Sequence, residues 1–259
     1  MGELYLKRKI DLFLSEWKKN PERKPLIVKG PRQVGKTESI RRFAAQNYES
    51  VIYMNFVEEP KYKLITEDGY RAEDIIKNIS RIDPSKRFQP EKTVIIFDEI
   101  QDFASIATSL KFFKIDGRFD VICSGSLLGI NYREIESNSV GYKTDYTMSS
   151  LDFEEFLWAK GYRTDAIEDM LRHMETLKPF NQLEMNLYSG LFLDYCILGG
   201  MPAVVRQYIE LGTFEGSLET QHQLLEDYRE DIRKYADGMD QGRILNVFEQ
   251  IPNQLAKDN

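Results

Sequence analysis

The stretch GPRQVGKT, Gly30 to Thr37, constrains this chain more than any other. It has the spacing G-x-x-x-x-G-K-[ST] of a phosphate-cradling loop. Glycines let the backbone turn tightly enough for successive N–H groups, from about Gln33 to Thr37, to point inward at phosphate oxygens. The residues expected to hold a nucleotide are therefore Gly30, Pro31, Arg32, Gln33, Val34, Gly35, Lys36 and Thr37, with Glu38 just beyond. Lys36 would place a point charge on the β- and γ-phosphates, and Thr37 would offer its hydroxyl to Mg²⁺. Leu26, Ile27 and Val28 form an apolar run after Pro25, and Ile40, Phe43 and Ala44 have helical spacing within 38–48. Strand, loop and helix thus come in the required order, and the helix N-terminus adds partial positive charge for an anion. A plain glycine turn is the competing reading, and the flanking strand and helix weigh against it.

A second anchor is TVIIFDEIQ, Thr93 to Gln101. An unbroken apolar run bounded by polar residues suits a strand of a parallel sheet covered by helices on both faces. Asp98 and Glu99 close that run, resembling a Walker B strand. Asp98 would hold Mg²⁺, directly or through water, and Glu99 would accept a proton from the water attacking the γ-phosphate. The pairs Glu58-Glu59 and Glu154-Glu155 are expected to be solvated carboxylates instead.

Further strands are expected at 51–56, 119–123 and 142–148, and helices at 104–114 and 153–160, the latter capped by Asp152 with Glu155. The strand at 119–123 ends in Ser124-Gly125-Ser126. If it lies between the two anchor strands, Ser124 or Ser126 would reach the γ-phosphate or the attacking water; a turn of small residues is the alternative. A helical stripe is expected over 4–17. Beyond Gly161 strand signals stop, and helices are expected at 165–178, 181–198 and 203–211, with Pro202 in the first turn of the last. One more helix would turn Leu218, His222, Leu225, Tyr228, Ile232 and Tyr235 to the core, His222 as a packing residue. His173 stands alone in this reading, without a metal partner.

A net charge of −7 argues against a surface that embraces nucleic acid throughout. Runs such as Lys7-Arg8-Lys9 are expected to be solvated helix faces. Cys123 and Cys196 each lie in apolar runs, which suits buried thiols in a reducing compartment, and no apolar stretch is long enough to span a bilayer. A cytoplasmic protein without a membrane partner is the expectation.

Taken in order, GPRQVGKT, IIFDEIQ, SGSLLG, LDFEEFLWAKG and GGMP closely resemble a large family of predicted AAA+ ATPases of bacteria and archaea. The resemblance implies an α/β P-loop fold, a parallel five-stranded sheet flanked by helices, followed by an α-helical lid. It implies ATP and Mg²⁺ as cofactors, with Lys36, Thr37, Asp98, Glu99 and the Ser124-Ser126 pair in the roles already reasoned. Members often carry an arginine where this chain reads SVGYK, leaving Arg133 and Lys143 as candidates for an arginine finger. Arg206, after GGMP, would act as a sensor 2 residue or make a surface ion pair. In that family the ATPase module precedes a domain with a winged helix, of which 236–259 would be a linker and the opening. The resemblance thus implies a core over 1–160, a lid over 161–235 and a truncated third unit. The apolar stripe Ile244, Phe248, Ile251 would then lack cover. A homo-oligomer, and DNA bound through the missing domain, are the partners it suggests.

Three functions fit these residues. One is an ATPase whose hydrolysis drives a conformational change in an attached or bound partner. Another is a slowly hydrolysing ATP switch associated with DNA. The third is a small-molecule kinase, against which Glu99 after Asp98 and the helical region after the sheet both weigh.

Overall fold

The computed structural model describes residues 4–126, 140–235 and 239–254. Within them a five-stranded sheet carries the architecture, all of its strands parallel, in the order β2-β3-β4-β1-β5. The strands are β1 (Leu26–Gly30), β2 (Ser50–Asn55), β3 (Thr93–Asp98), β4 (Asp120–Ser126) and β5 (Thr144–Thr147). The condition left open by the sequence is met, since β4 lies between the two anchor strands: Leu26 of β1 pairs with Ile122, and Ile96 of β3 pairs with Ile122 from the other side.

Side chains on a strand alternate between faces, so the apolar run of β3 serves two cores at once. Ile95 and Phe97 join Ile52, Met54, Val121 and Cys123 under α3 (Ala72–Ile82) and α4 (Ser109–Asp116). Val94 and Ile96 join Val28 and Ile122 under α1 (Lys9–Lys19) and α2 (Lys36–Asn47). Each fully buried Ile or Phe contributes about 1.5–3 kcal/mol relative to an exposed one. Every residue of β3 is buried.

The helical region follows, with α5 (Phe153–Ala159), α6 (Thr164–Thr176), α7 (Gln182–Leu198), α8 (Pro202–Leu211), α9 (Ser217–Tyr235) and α10 (Met239–Gln254). Leu6, Leu151, Phe156, Leu198, Val204, Val205, Tyr208 and Leu224 form its main core, so the N-terminal segment is packed into it. None of the described helices is long and apolar enough to cross a membrane.

Several local expectations are corrected. The helix expected over 104–114 is a 3₁₀ segment, Ile100–Thr108, followed by α4; Phe103 breaks it with φ −147° and packs its ring edge-on against Phe56 at 5.0 Å. The stripe expected over 4–17 turns helical only at Lys9. On α9, Leu224 is buried whereas Leu218, His222 and Leu225 are exposed, so the inward face is rotated from the expected one. Cys196 is exposed, unlike Cys123. Glu155 is buried rather than solvated: it completes the capping box of α5 with Asp152 and pairs with Arg8. Of 236–259, expected to begin with a linker, the part from Met239 is already helical, and α10 lies along α9, with Phe248 stacked on Tyr228 and Glu249 3.5 Å from Arg229. Ile244 and Ile251 remain exposed.

Candidate functional site

The carboxyl ends of β1, β3 and β4 meet at one edge of the sheet, where open α/β sheets place their ligands. Two glycines set the loop there. Gly35 has φ +92°, a left-handed conformation that side-chain-bearing residues resist. At Gly30 a Cβ would lie 2.0 Å from the carbonyl oxygen of Met148, so only glycine admits this close approach of backbones. Gln33 takes φ 62° without being glycine, a local strain typical of functional loops.

Lys36 opens α2 and is buried. Its ammonium donates to the carbonyl oxygens of Gly30 (3.0 Å) and Pro31 (2.6 Å), bridging the loop. Burial lowers its pKa; Glu99 and Asp98 oppose that shift, and Arg32 adds to it. A cation so poorly hydrated gains more than a surface lysine from meeting an anion.

Asp98 is 2% exposed and fully engaged. Its Oδ2 accepts from Thr37 Oγ1 at 2.9 Å and from the Tyr53 hydroxyl at 2.7 Å. Its Oδ1 accepts from the Glu99 N–H at 3.0 Å and from the Ser124 hydroxyl. Burial, then the bond to Asp98, pushes the Tyr53 phenol well above its ordinary pKa, so it stays a donor. The donor set suits Mg²⁺ by its chemistry, a hydroxyl oxygen of Thr37 and a carboxylate of Asp98 side by side, both hard oxygen ligands.

Glu99 sits at φ 57°, left-handed for a residue with a side chain. Gln101 secures it: its amide donates to Glu99 Oε2, and its carbonyl oxygen accepts the Ser126 N–H at 3.1 Å. One side chain therefore ties the end of β3 to the end of β4. Ser124 and Ser126 are both buried, and Ser124 spends its hydroxyl on Asp98.

A cleft of about 620 Å³ opens over the loop, within the size range of small-ligand sites. Arg32, Gln33, Gly35, Lys36, Thr37, Glu38, Glu99 and Arg206 line it, so half of the residues singled out in the sequence come together there. Gly30, Pro31, Val34, Asp98, Ser124 and Ser126 stand behind that lining rather than in it. Arg206, on α8, pairs with Glu38 at 3.0 Å across the cleft. Lys143 lies at the far end of β5 from the loop, paired with Asp145 at 2.6 Å. Arg133 lies outside the described residues.

Sequence reasoning missed two groups. Arg8, 5% exposed, donates from Nη1 to the Val34 carbonyl and from Nη2 to the Ser149 carbonyl, both at 2.7 Å, and its Nε lies 3.1 Å from Glu155. It thereby joins the loop to the segment entering α5. The second group is the acidic wall of α9: Asp231 pairs with Arg32 at 2.9 Å, Asp227 accepts from the Gln33 amide at 2.8 Å, and the Tyr228 hydroxyl donates to the Arg32 carbonyl at 2.8 Å. Hydrogen bonds from Gln223 and then Gln33 hold the Asp227 carboxyl below its ordinary pKa. The i, i+4 spacing of Asp227 and Asp231 was the only signal in the sequence that they share a face.

Residues 22–157 match the model of a family described as an AAA domain, and residues 189–259 match that of a domain of unknown function (DUF8612). No curated protein matches the chain. Among solved structures, C. elegans PCH-2 is similar at 10% identity and a TM-score of 0.38, over 67% of this chain and 48% of that one. Drosophila ORC bound to DNA is similar at 14% identity and a TM-score of 0.44, over 88% and 67%. The Aeropyrum pernix ORC1 protein in complex with DNA is similar at 13% identity and a TM-score of 0.38, over 62% and 50%. The chain spans about half the length of the first and the third.

Proposed function

This chain belongs to the AAA-domain family of ATP-binding ATPases, and from that premise we propose that it binds MgATP in the cleft above Gly30–Thr37 and hydrolyses it to drive a conformational change. The observation that carries the reading is the convergence of Lys36 and Thr37, at the start of α2, with Asp98 and Glu99, at the end of β3, beside one loop. In it the loop N–H groups and Lys36 receive the phosphates, exchanging the Gly30 and Pro31 carbonyls for phosphate oxygens. Thr37 and Asp98 would hold Mg²⁺, which neutralises charge on the phosphate oxygens when bound. Glu99 takes a proton from water as the water oxygen bonds to the γ-phosphorus and the bond to the β-phosphate oxygen breaks. Gln101 positions Glu99 for this, and Ser124 and Ser126 keep β4 in register beside it.

The helical region over 161–235 is proposed as the lid. Arg206 and the α9 contacts to Arg32 and Gln33 give it three grips on the nucleotide loop and its helix, so that a γ-phosphate arriving or leaving would be felt there. Residues 1–160 are proposed as the core and 236–259 as the opening of a further unit. A cytoplasmic location and self-association, with Arg133 or Lys143 reaching a neighbouring copy, complete the proposal.

One observation favours a slow switch as the second reading: the Gln101 amide already takes one oxygen, Oε2, of the Glu99 carboxylate that must accept the proton, which lowers its basicity. Titration calorimetry with ATP and a phosphate-release assay, with and without DNA, separate the readings. Lys36→Ala should weaken ATP binding about 10- to 100-fold, the loss of a charge-assisted contact worth about 1.5–3 kcal/mol. Unchanged affinity would remove the loop from the mechanism, and binding without turnover would favour the switch.

A further inference from the structure

Far along the chain from the nucleotide loop, α6 and α7 bring together three groups that the ATPase reading does not use. Asp169 and His173 are four residues apart on α6, hence one turn apart on the same face, and Glu184 stands at the start of α7. One ligand-capable atom from each lies within 4.8 Å of the other two. The sequence reading left His173 without a partner; the partner on its own helix was Asp169.

We propose that Asp169, His173 and Glu184 form a binding site for a divalent first-row transition ion of the Zn²⁺ class, which clips α6 onto α7.

Two of the three groups are already oriented for ligation. His173 Nδ1 lies 3.1 Å from the Lys178 carbonyl oxygen, which can only accept, so Nδ1 carries a proton and the neutral ring would present its Nε2 lone pair. The ring is further held by packing on Phe180, with centroids 4.7 Å apart. Glu184 is committed by the capping box of α7: its N–H donates to Asn181 Oδ1, and its Oε2 accepts the Asn181 N–H at 2.8 Å. That leaves Oε1, which faces His173 Nε2 at 3.8 Å. For a neutral imidazole these are two acceptors facing each other, an arrangement that a cation between them satisfies. A tetrahedral shell with bonds of 2.0–2.1 Å sets its donors about 3.4 Å apart, so small side-chain rotations close the site. The exposed Asp169 supplies the third ligand and leaves the fourth position open to water. One neutral imidazole and two carboxylates balance the charge of a dication, and the imidazole favours Zn²⁺ over Mg²⁺ or Ca²⁺.

The fold gives such a clip a task. Ile167 is the single residue of α6 buried among the described residues, so this helix of 13 residues has little apolar packing to hold it. Where packing is thin, metal-binding free energy becomes folding free energy for the element concerned.

The test uses the intact, tag-free chain with Zn²⁺ alone as probe, read by amide hydrogen exchange and by the visible bands of Co²⁺ placed in the same site. Zn²⁺ should slow exchange across α6 at least tenfold, with Mg²⁺ in excess having no such effect, and Co²⁺ should give absorption from a four-coordinate N/O site. His173→Ala, Asp169→Asn and Glu184→Gln should each abolish the protection; glutamine keeps the α7 cap, so the last variant tests ligation apart from folding. Asp98→Asn, which alters the nucleotide site, should leave the protection in place. Protection of α6 that survives His173→Ala, that disappears in Asp98→Asn, or that never arises in the wild type would overturn the assignment and leave His173 and Glu184 as an ion pair only.

Discussion

Replacing Arg8 by methionine should cost the fold more than any other surface-numbered charge in the N-terminal run would suggest. The methionine keeps most of the apolar stem and removes the guanidinium, which strands the Glu155 carboxylate and the carbonyls of Val34 and Ser149 in the interior. Breaking a buried ion pair from one side costs about 3–5 kcal/mol. Glu155 retains two backbone donors, the N–H groups of Lys9 at 2.6 Å and Asp152 at 3.2 Å, so the lower end applies. At about 2–4 °C per kcal/mol for a chain of this size, a loss of about 3 kcal/mol lowers Tm by about 6–12 °C. Glu155→Gln in the Arg8→Met background removes the stranded charge and should recover about 1–2 kcal/mol, where additive effects would give a further loss. Because Val34 lies inside the nucleotide loop, ATP affinity should fall several-fold as well. Thermal unfolding by circular dichroism, with ATP titration on the same samples, measures both. A Tm within about 2 °C of wild type, or a double variant less stable than Arg8→Met, would refute the argument that a buried charge pair organises this junction.

Three further outcomes are expected. Glu99→Gln should retain MgATP in an equilibrium binding assay while phosphate release slows about 10²-fold or more, since an amide orients water without taking its proton. Asp231→Asn should tighten ATP binding several-fold by removing negative charge from the cleft wall beside Arg32, an effect that fades as salt is raised in the titration. In thiol titration of the native chain one cysteine, Cys196, should react quickly; Cys123, buried and with its thiol pKa pushed up by burial, should react only on unfolding.

The loop and the β3 strand were legible because their chemistry is local. Gly30 to Thr37 and Asp98-Glu99 announce themselves within a few residues, and the double-sided core of β3 follows from an unbroken apolar run. What stayed hidden depends on partners distant in sequence. Arg8 sits in Lys7-Arg8-Lys9, which reads as a solvated face, and nothing local reveals acceptors 26 and 141 residues away. Glu155 was legible as a cap and illegible as half of a buried pair for the same reason. On α9 the apolar periodicity admitted two overlapping faces, and packing against α8 chose the one through Leu224. Cys196 lies in an apolar run of α7 whose outer face is exposed, as Phe192, Leu193 and Ile197 are, so apolar surroundings in sequence misjudged its burial.

The place of β1 in the sheet has a consequence during synthesis. Its hydrogen-bonding neighbours are β4 and β5, with Leu26 opposite Ile122 and Thr144, while its nearest successors β2 and β3 pair with each other elsewhere. The strand that carries the nucleotide loop therefore leaves the ribosome without a partner on either edge. At 5–20 residues per second it waits about 5–20 s while roughly a hundred more residues are made. Through that interval an apolar strand with both edges open is a substrate for chaperones and a hazard for aggregation. A ribosome stalled before β4 has emerged should carry a nascent chain that ATP cannot stabilise, because the cradle has no wall to lean on; one stalled after β5 should be the first to respond.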